Sequence, residues 1–301
     1  MHSRPITHLL IVVKKIRKPY LVACSGIPAR SDISNTIYNM ERIKIALISG
    51  ATGAIGKSIA HRIAMDENYH VTLVARSEPR VKKVVDELIE STGNEYISYA
   101  ICDLSRKHEI KALAERWDKP LHLMINDAAV TPKKREETPE GIEMQWATNV
   151  LGYFWMIKFF SAVMQEHAPA RIVNVASYWA GDLDIYDPEF KNRYYNNDTA
   201  YRQSKQANRM ITAAFAQRLM DKNISVNACH PGDVRSTLAS NLGYGGHETP
   251  HQGAETPVWL ATSPELSGIT GRYFEHKQES KCRFGSNISQ VEELFRICES
   301  Y

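Results

Sequence analysis

Short apolar runs alternate with longer amphipathic segments along most of the chain. Seven of these runs predict strands, at 43–49, 70–75, 96–101, 121–125, 171–176, 224–229 and 271–276. The runs are almost continuously apolar, which is typical of parallel strands that are buried on both faces. The segments between them have helical periodicity. Repeated βα units predict an α/β fold: a single-domain, Rossmann-type, doubly wound parallel sheet of about seven strands with helices on both faces.

The beginning of the chain has a different composition. Residues 1–31 contain six arginines and lysines and no acidic residue. Their longest apolar run, at 9–13, is far shorter than the roughly 20 residues that a membrane-spanning helix needs, so no transmembrane segment is predicted. Basic residues follow that run directly, which does not suit a secretory signal. We therefore predict a poorly ordered basic extension over 1–39 and one folded domain over 40–301.

The overall composition argues against several classes of protein. A net charge of +3, with acids and bases mixed along most of the sequence, does not indicate a nucleic-acid partner. The five cysteines are odd in number and no two have CxxC spacing, so we predict neither a metal site nor a disulfide framework. Reduced thiols favour a cytoplasmic location. The basic extension leaves import into an organelle, or contact with a membrane surface, as alternatives.

A glycine-rich turn follows the first predicted strand. The sequence SGATGAIGKS, at 49–58, places Gly50, Gly53 and Gly56 between that strand and a helix that begins near Ile55. Such a turn lets backbone N–H groups approach a pyrophosphate at a helix N-terminus, so these four residues are predicted to bind a dinucleotide. The alternative is a turn that only packs the helix against the strand.

Residues at the ends of the next strands refine the expected ligand. Arg76 stands where an acidic residue would bind the ribose hydroxyls of NAD. Its guanidinium suits a 2′-phosphate, which predicts NADP(H) in preference to NAD(H), unless it is only a solvated loop arginine. Asp103 is predicted to accept a hydrogen bond from the adenine amino group, to cap a helix that starts near Ser105, or both. Asn126 and the small Ala128 would let the backbone lie close to the cofactor.

These motifs, in this order, resemble the classical short-chain dehydrogenase/reductase family over residues 43 to about 275. The resemblance is carried by the glycine turn, CDLS, INDAAV, Asn149 in QWATNVLGYF, Ser177 in RIVNVASYWA, YRQSK and HPGDVRST. The long gap between Ser177 and Tyr201, VAR after the second strand and GAETPVWLA at 253–261 look like the retinol-dehydrogenase-like branch. The resemblance therefore implies an NAD(P)-binding oxidoreductase domain.

The same resemblance implies roles for four residues. Tyr201 would be the general acid and base, and Lys205, one helical turn on, would lower the pKa of that tyrosine and hold the nicotinamide ribose. Ser177 would bind the substrate oxygen, and Asn149 would hold a water in a proton path to the lysine. Alternatively, Ser177 caps a loop and Asn149 is a buried residue satisfied by the backbone.

The nicotinamide end of the cofactor is assigned by the same resemblance. Pro231 and Gly232 would turn the chain over the nicotinamide, while the Val234 backbone and the Ser236 hydroxyl would meet the carboxamide. The glycine-rich segment 238–252 is predicted to be a lid over the site. The C-terminal segment 288–301 has the spacing of a helix that packs on the body or on a partner subunit.

The segment between Ser177 and Tyr201 is rich in aromatic residues. They either line an apolar pocket or pack this insert against the body: Tyr178, Trp179, Tyr186, Phe190, Tyr194 and Tyr195. Family resemblance implies an NADP(H)-dependent oxidoreductase that interconverts a lipophilic aldehyde or ketone and its alcohol. A homo-oligomer is compatible with the family, but no feature of the sequence selects it.

The sequence departs from the family pattern at two places. Ala54 stands where the family has a glycine, and residues 126–129 read NDAA instead of the usual NNAG. Asp127 thereby introduces a carboxylate whose orientation the sequence does not give. These departures support a second hypothesis, in which the protein is a catalytically weak NADP(H)-binding redox sensor or scaffold.

Overall fold

One central sheet organises residues 43–301, which are the residues that the computed structural model describes. The prediction of an extension over 1–39 and the predicted domain start at 40 lie outside these residues. The strands occur in the order β3-β2-β1-β4-β5-β6-β7-β8. Their bounds are Lys44–Ser49, Tyr69–Ala75, Ile97–Ile101, Leu123–Asn126, Ala170–Val175, Ile224–Cys229, Tyr273–Glu275 and Gln278–Ser280 for β1 to β8. The Rossmann-type sheet is confirmed.

Helices cover both faces of this sheet. In chain order α1 to α9 span Ala54–Ala64, Glu78–Thr92, Lys107–Glu115, Gly152–Glu166, Asn197–Leu219, Thr237–Asn241, Pro250–Gly253, Glu255–Thr262 and Ile288–Ser300. A π-helical segment, Trp146–Leu151, runs directly into α4. Between residues 43 and 301, no helix combines the length and the apolar character needed to cross a membrane.

Strand β1 shows why the predicted strands read as unbroken apolar runs. Leu47 belongs to the core formed with α3, α4, α5 and α9, whereas Ala46 and Ile48 belong to the core formed with α1, α2 and α8. Successive side chains of a strand point to opposite faces, so a strand with a core on each side must be apolar at every position. All three side chains are fully buried.

The order of the strands determines where a site can form. β1 pairs in parallel with β2 on one side and with β4 on the other, so the direction of winding reverses between β1 and β4. Ligands of open α/β sheets bind at the carboxyl ends of the strands beside such a reversal. The segments that follow β1, β4, β5 and β6 therefore converge on one edge.

The eighth strand was not predicted from the sequence. β7 and β8 form an antiparallel hairpin in which Glu275 pairs with Gln278. The two loop residues, His276 and Lys277, have φ of 48° and 60°. Such loops usually carry glycine or asparagine, and the β8 sequence QES lacks an apolar alternation, so neither sequence signal was present.

The C-terminal helix α9 packs on the body of the domain. Phe295 lies against Phe154 and Phe215, with ring centroids 5.0 and 5.3 Å away. Leu294 is 1% exposed, whereas Ile288, which belongs to the predicted apolar stripe, is 69% exposed. Ile288 is the first residue of the helix and lies beyond the packed face.

We predict that Leu294→Ala destabilises the domain while Ile288→Ala does not. Removing the buried side chain leaves a cavity, so the free energy of unfolding should fall by about 2–5 kcal/mol. The change at Ile288 should stay within about 0.5 kcal/mol because that side chain is already in water. Urea denaturation of both variants measures the difference, and equal effects would contradict the packing of α9.

Candidate active site

A cavity of about 180 Å³ opens at the carboxyl edge of the sheet. Seven residues that were predicted from the sequence line it together: Ile55, Ser177, Tyr201, Pro231, Gly232, Val234 and Ser236. Apolar residues form much of the remaining wall: Trp179, Leu238, Ala239, Leu242 and Tyr244. The segments after β1, β5 and β6 thus contribute to one pocket, as the strand order requires.

Ser177 and Tyr201 meet in this cavity. Ser177 lies two residues after the end of β5, and its Oγ accepts a hydrogen bond from the Trp179 N–H at 3.2 Å. The same hydroxyl shares the cavity with the Tyr201 phenol and lowers the pKa of that phenol. Tyr201 is in the second turn of α5, a helix whose N-cap Asn196 accepts a hydrogen bond from the Thr199 N–H at 2.8 Å. Both side chains are almost fully buried, at 5% and 8% exposed. The capped start of α5 therefore positions Tyr201, and the end of β5 positions Ser177.

The pKa of Tyr201 is shifted in the direction opposite to the prediction. Burial raises the pKa and is the largest effect. The Ser177 hydroxyl lowers the pKa, and the charge of Asp127 raises it further. The expected lowering of this pKa by Lys205 is not among the main effects, and loss of hydration is the largest effect. Tyr201 therefore keeps its proton at neutral pH, which makes it a proton donor.

Lys205 is buried behind the pair and is held by the end of β5. Its Nζ donates a hydrogen bond to the Val175 carbonyl oxygen at 2.8 Å and lies 5.6 Å from the centroid of the Tyr201 ring. Burial lowers the pKa of the ammonium, while the charge of Asp127 opposes that change. The lysine thus lies on the same helix face as Tyr201, as its spacing predicts.

The structure gives the orientation of Asp127, the residue that departs from the family pattern. Its carboxylate lies against Gly56 in the first turn of α1, where a Cβ built on the glycine would be 2.8 Å from Asp127 Oδ2. Burial raises the pKa of this carboxyl, whereas the charge of Lys205 and the nearby backbone N–H of Gly56 oppose the rise. A titratable acid therefore lies between the glycine turn and the buried lysine.

Two glycines of the turn are required by the packing of the chain itself. A Cβ on Gly50, where φ is +74°, would lie 2.6 Å from the Ala128 N, and one on Gly56 would lie 2.4 Å from the Gly50 O. Gly53 differs from both, because it is the N-cap of α1 and that helix end has no side-chain cap. The uncapped helix end suits a phosphate, so packing and dinucleotide binding are compatible here.

Arg76 and Asp103 lie at the ends of β2 and β3. Arg76 is exposed and makes no ion pair with another residue of the described range, so its guanidinium is available to a phosphate. Asp103 Oδ1 accepts hydrogen bonds from the Ser105 N–H and hydroxyl at 3.0 and 2.8 Å. The predicted capping of a helix near Ser105 is wrong, because this local turn delays the start of α3 to Lys107.

Asn126 joins two strands of the sheet. Its Nδ2 donates to Asn174 Oδ1 at 2.9 Å, and Asn174 Nδ2 donates in turn to Thr212 Oγ1 at 3.0 Å. Asn126 and Asn174 are fully buried. The side chain of Asn126 therefore points into a polar contact between β4, β5 and α5, and only its backbone leads toward Ala128 and the cleft.

Asn149 lies in the π-helical segment before α4. Its Oδ1 accepts from the Val130 N–H at 2.8 Å, and its Nδ2 donates to the Val130 carbonyl oxygen at 3.0 Å. The amide is thus satisfied by backbone, which was the alternative to a role in proton transfer. Its position also fixes the loop that follows β4 and carries Asp127.

The aromatic insert divides between the cavity and the body. Trp179 lines the cavity, whereas Phe190 is buried and the Tyr195 hydroxyl donates to the Pro132 carbonyl oxygen at 3.0 Å. Tyr186 and Tyr194 are exposed. Some aromatic residues of the insert therefore line the pocket and others pack the insert against the body. The sequence did not separate them because an irregular segment has no periodicity that gives side-chain direction.

The predicted lid is a short helix followed by a loop. Leu238 in α6 and Leu242, directly after that helix, line the cavity, and the Tyr244 ring lies 3.8 Å from the Trp179 ring, centroid to centroid. A single β-bridge between Val234 and Glu248 joins the end of the lid segment to the loop after β6. The predicted lid segment thus forms part of the cavity wall.

Two residues near the site were not assigned from the sequence. His230 lines the cavity, and burial, with smaller effects of His276 and Arg209, lowers its pKa to about 3, so it is neutral. Arg209 donates a hydrogen bond to the Ser177 carbonyl oxygen. His230 is the first residue of the HPGDVRST motif and Arg209 follows YRQSK, but the sequence analysis assigned no chemistry to either position.

Comparison with known proteins agrees with this geometry. The family model described as short chain dehydrogenase matches residues 44–244. A probable oxidoreductase of Streptomyces antibioticus is 32% identical over 257 residues, which cover 78% of this chain and 86% of the relative. Retinol dehydrogenase 11 of Homo sapiens is 31% identical over 245 residues, which cover 77% of this chain and 76% of the relative.

A solved structure of an actinorhodin polyketide ketoreductase with NADPH is similar in fold. Its TM-score is 0.61 at 25% identity, and the match covers 78% of this chain and 95% of the other. The family model, the relatives and the shared fold agree on one assignment. The chain belongs to the short-chain dehydrogenase/reductase family, in its retinol-dehydrogenase-like branch, and is an oxidoreductase that acts on CH–OH or C=O groups with NAD(P).

Proposed function

We propose that the protein is an NADP(H)-dependent oxidoreductase that interconverts a lipophilic aldehyde or ketone and its alcohol. The observation that carries this proposal is that the hydroxyl-bearing side chains of Ser177 and Tyr201 line one cavity together, with Lys205 buried behind them. A proton donor and a second hydrogen-bonding hydroxyl in one cavity suit the polarisation and protonation of a carbonyl oxygen.

Each of these three residues has one task in the proposed reaction. Tyr201 donates its proton to the carbonyl oxygen during reduction and accepts it back during oxidation. Ser177 hydrogen-bonds the same oxygen as negative charge develops there. Lys205 places a positive charge beneath the phenol and stabilises its deprotonated form. When bound, NADP(H) supplies or accepts the hydride.

The cofactor-binding residues that we propose surround the same edge of the sheet. The uncapped N-terminus of α1, at Gly53, suits the pyrophosphate, and the exposed Arg76 suits a 2′-phosphate. The loop after β6, with Pro231, Gly232, Val234 and Ser236 in the cavity wall, suits the nicotinamide end. The ketoreductase of similar fold was solved with NADPH, which is compatible with this preference.

The character of the cavity supports a lipophilic substrate. The apolar part of its wall beyond the hydroxyl pair is formed by Trp179, Leu238, Leu242 and Tyr244, and such surfaces favour apolar ligands. One relative is named a retinol dehydrogenase, which by its name acts on a lipophilic alcohol. Asn149 would act indirectly in this scheme, either through a proton path to Lys205 or by fixing the loop that it binds.

The cytoplasm is the location that we propose. The cysteines of the described range, Cys102, Cys229, Cys282 and Cys298, are free thiols, as a reducing compartment maintains them. Import directed by residues 1–39 is the alternative. Imaging the full chain beside a chain that starts at Met40 distinguishes the two.

We predict that Tyr201→Phe abolishes turnover but leaves NADPH binding intact. Loss of the proton donor should lower kcat by roughly 100- to 10,000-fold in a panel of lipophilic aldehydes, ketones and alcohols. Steady-state kinetics and NADPH fluorescence titration measure the two effects. Tyr186→Phe, at an exposed tyrosine of the insert, is the control and should leave both unchanged.

Two outcomes would contradict the proposed function. Full activity of Tyr201→Phe would remove Tyr201 from the reaction. NADPH binding without turnover of any substrate by the unmodified protein would favour the redox sensor or scaffold. The departures from the family pattern at Ala54 and at Asp127 are the features that support that hypothesis.

We predict that Arg76→Ala weakens NADPH binding by roughly 10- to 100-fold and changes NADH binding little. The expected loss is that of a hydrogen-bonded charge on the 2′-phosphate, which NADH lacks. Arg80→Ala, at another exposed arginine one turn into α2, is the matched control. Dissociation constants for both cofactors decide the matter, and equal losses for NADPH and NADH would argue against the preference for NADP(H).

We predict that Asp127→Asn tightens NADPH binding at about pH 8 by roughly 10-fold and has little effect at about pH 5. Burial raises the pKa of this carboxyl, so it is protonated at acid pH and ionises as pH rises through that raised value. Only the ionised form repels an anionic cofactor at the α1 N-terminus. A pH series of NADPH dissociation constants tests this, and weaker binding by the variant would show that the carboxylate helps.

A further inference from the structure

A buried arginine lies on the same face of α5 as the proposed catalytic residues. Tyr201, Lys205 and Arg209 are spaced four residues apart, so their side chains follow one another along the helix. Arg209 is 7% exposed. Its guanidinium lies outside the wall of the cavity, and it does not touch the position proposed for the substrate.

Arg209 and Lys205 both hold the chain where it leaves β5. Lys205 Nζ donates to the Val175 carbonyl oxygen at 2.8 Å, and Arg209 Nη2 donates to the Ser177 carbonyl oxygen at 2.6 Å. Two cations of one helix thus bind two carbonyl groups, two residues apart, on one segment. The second of these carbonyl groups belongs to Ser177 itself.

The other face of the guanidinium contacts the edge of the sheet. It stacks on the ring of Tyr273 in β7, 3.5 Å from the centroid, and Nη2 lies 3.9 Å from Glu275 Oε1. Both residues belong to the strand that pairs with β6, which leads into His230 and the cavity. Arg209 therefore joins α5, the end of β5 and β7 at one point.

Stability alone does not account for a guanidinium at this position. A buried charge is costly to desolvate unless it is well paired. The nearest carboxylate of the described residues is 3.9 Å away, and Arg209 Nε has no hydrogen-bond partner among them. An apolar side chain would fill the same space without that cost. It would, however, remove the 2.6 Å hydrogen bond to the Ser177 carbonyl oxygen and leave that oxygen only the 3.3 Å hydrogen bond from the Ala180 N–H.

We infer that Arg209 is a positioning residue, which fixes the backbone of Ser177 and thereby aims the Ser177 hydroxyl at the substrate oxygen beside Tyr201. This inference rests on the proposed function of that pair. Ser177 lies in the irregular segment after β5, where its carbonyl oxygen has no partner in the sheet and accepts, besides the Arg209 hydrogen bond, a 3.3 Å hydrogen bond from the Ala180 N–H of a local turn. A displacement of about 1 Å at a reacting group is enough to lower a rate by about 100-fold.

The test compares Arg209→Met with Arg218→Met. Arg218 is a matched control because it lies on the same helix, stacks on Phe295 at 3.7 Å and forms an ion pair with Glu292 at 2.6 Å, far from the cavity. We expect Arg209→Met to lower kcat by about 10- to 100-fold, with KM and the NADPH dissociation constant within about twofold of the unmodified protein. Arg218→Met should lower thermal stability without changing kcat.

A conservative variant separates positioning from packing. Arg209→Lys keeps a cation and a donor near the Ser177 carbonyl oxygen, so its kcat should lie between those of Arg209→Met and the unmodified protein. A kcat for Arg209→Met within about twofold of normal would overturn the inference, as would an equal loss in Arg218→Met or a lysine variant no better than methionine.

Failure of this inference is distinguishable from failure of the proposed function. If Tyr201→Phe loses activity while Arg209→Met keeps it, the reaction stands and only the positioning role is wrong. If the unmodified protein turns over no carbonyl or alcohol, the proposed function fails, and the positioning inference fails with it.

Discussion

The buried ammonium of Lys205 is the constraint on which the rest of the site depends. A charge inside a protein needs partners, and this one binds the Val175 carbonyl oxygen at the end of β5, while the charge of Asp127 also favours the ammonium form. The bond fixes α5 against β5. Because Tyr201 is one turn before the lysine and Ser177 is just beyond the strand, the same bond brings the two hydroxyl groups together.

Polar contacts within the core support this arrangement from the side of β4. Asn126 binds Asn174 across two strands, and Asn149 binds both backbone groups of Val130. Buried amides have few alternative partners, so such contacts specify one register and one loop conformation. The loop held in this way carries Asp127, which explains how a carboxylate comes to lie at the N-terminus of α1. Hydrogen bonds of Asn126 and Asn149 thus hold the end of β4 and the loop after it in place beside the site.

Particular residues show where prediction from the sequence succeeds and where it stops. The apolar run around Ile48 and the glycine at Gly50 follow from local rules, since two-sided burial and a positive φ each restrict the residue type. The aromatic insert obeys no such rule, and Trp179 reaches the cavity while Tyr194 lies in solvent. The pKa of Tyr201 could not be predicted either, because the surrounding burial depends on the whole fold.

The sequence by itself determined the order of βα units, the glycine turn and the spacing of Tyr201 and Lys205, because periodicity and local geometry act over a few residues. Only the tertiary structure decided which way Asp127 points, that the Asn149 amide is satisfied by backbone, and that Arg209 holds Ser177. These contacts join segments far apart in the chain. Their geometry depends on how helices and strands pack, so it cannot be read from the residue types of a short segment.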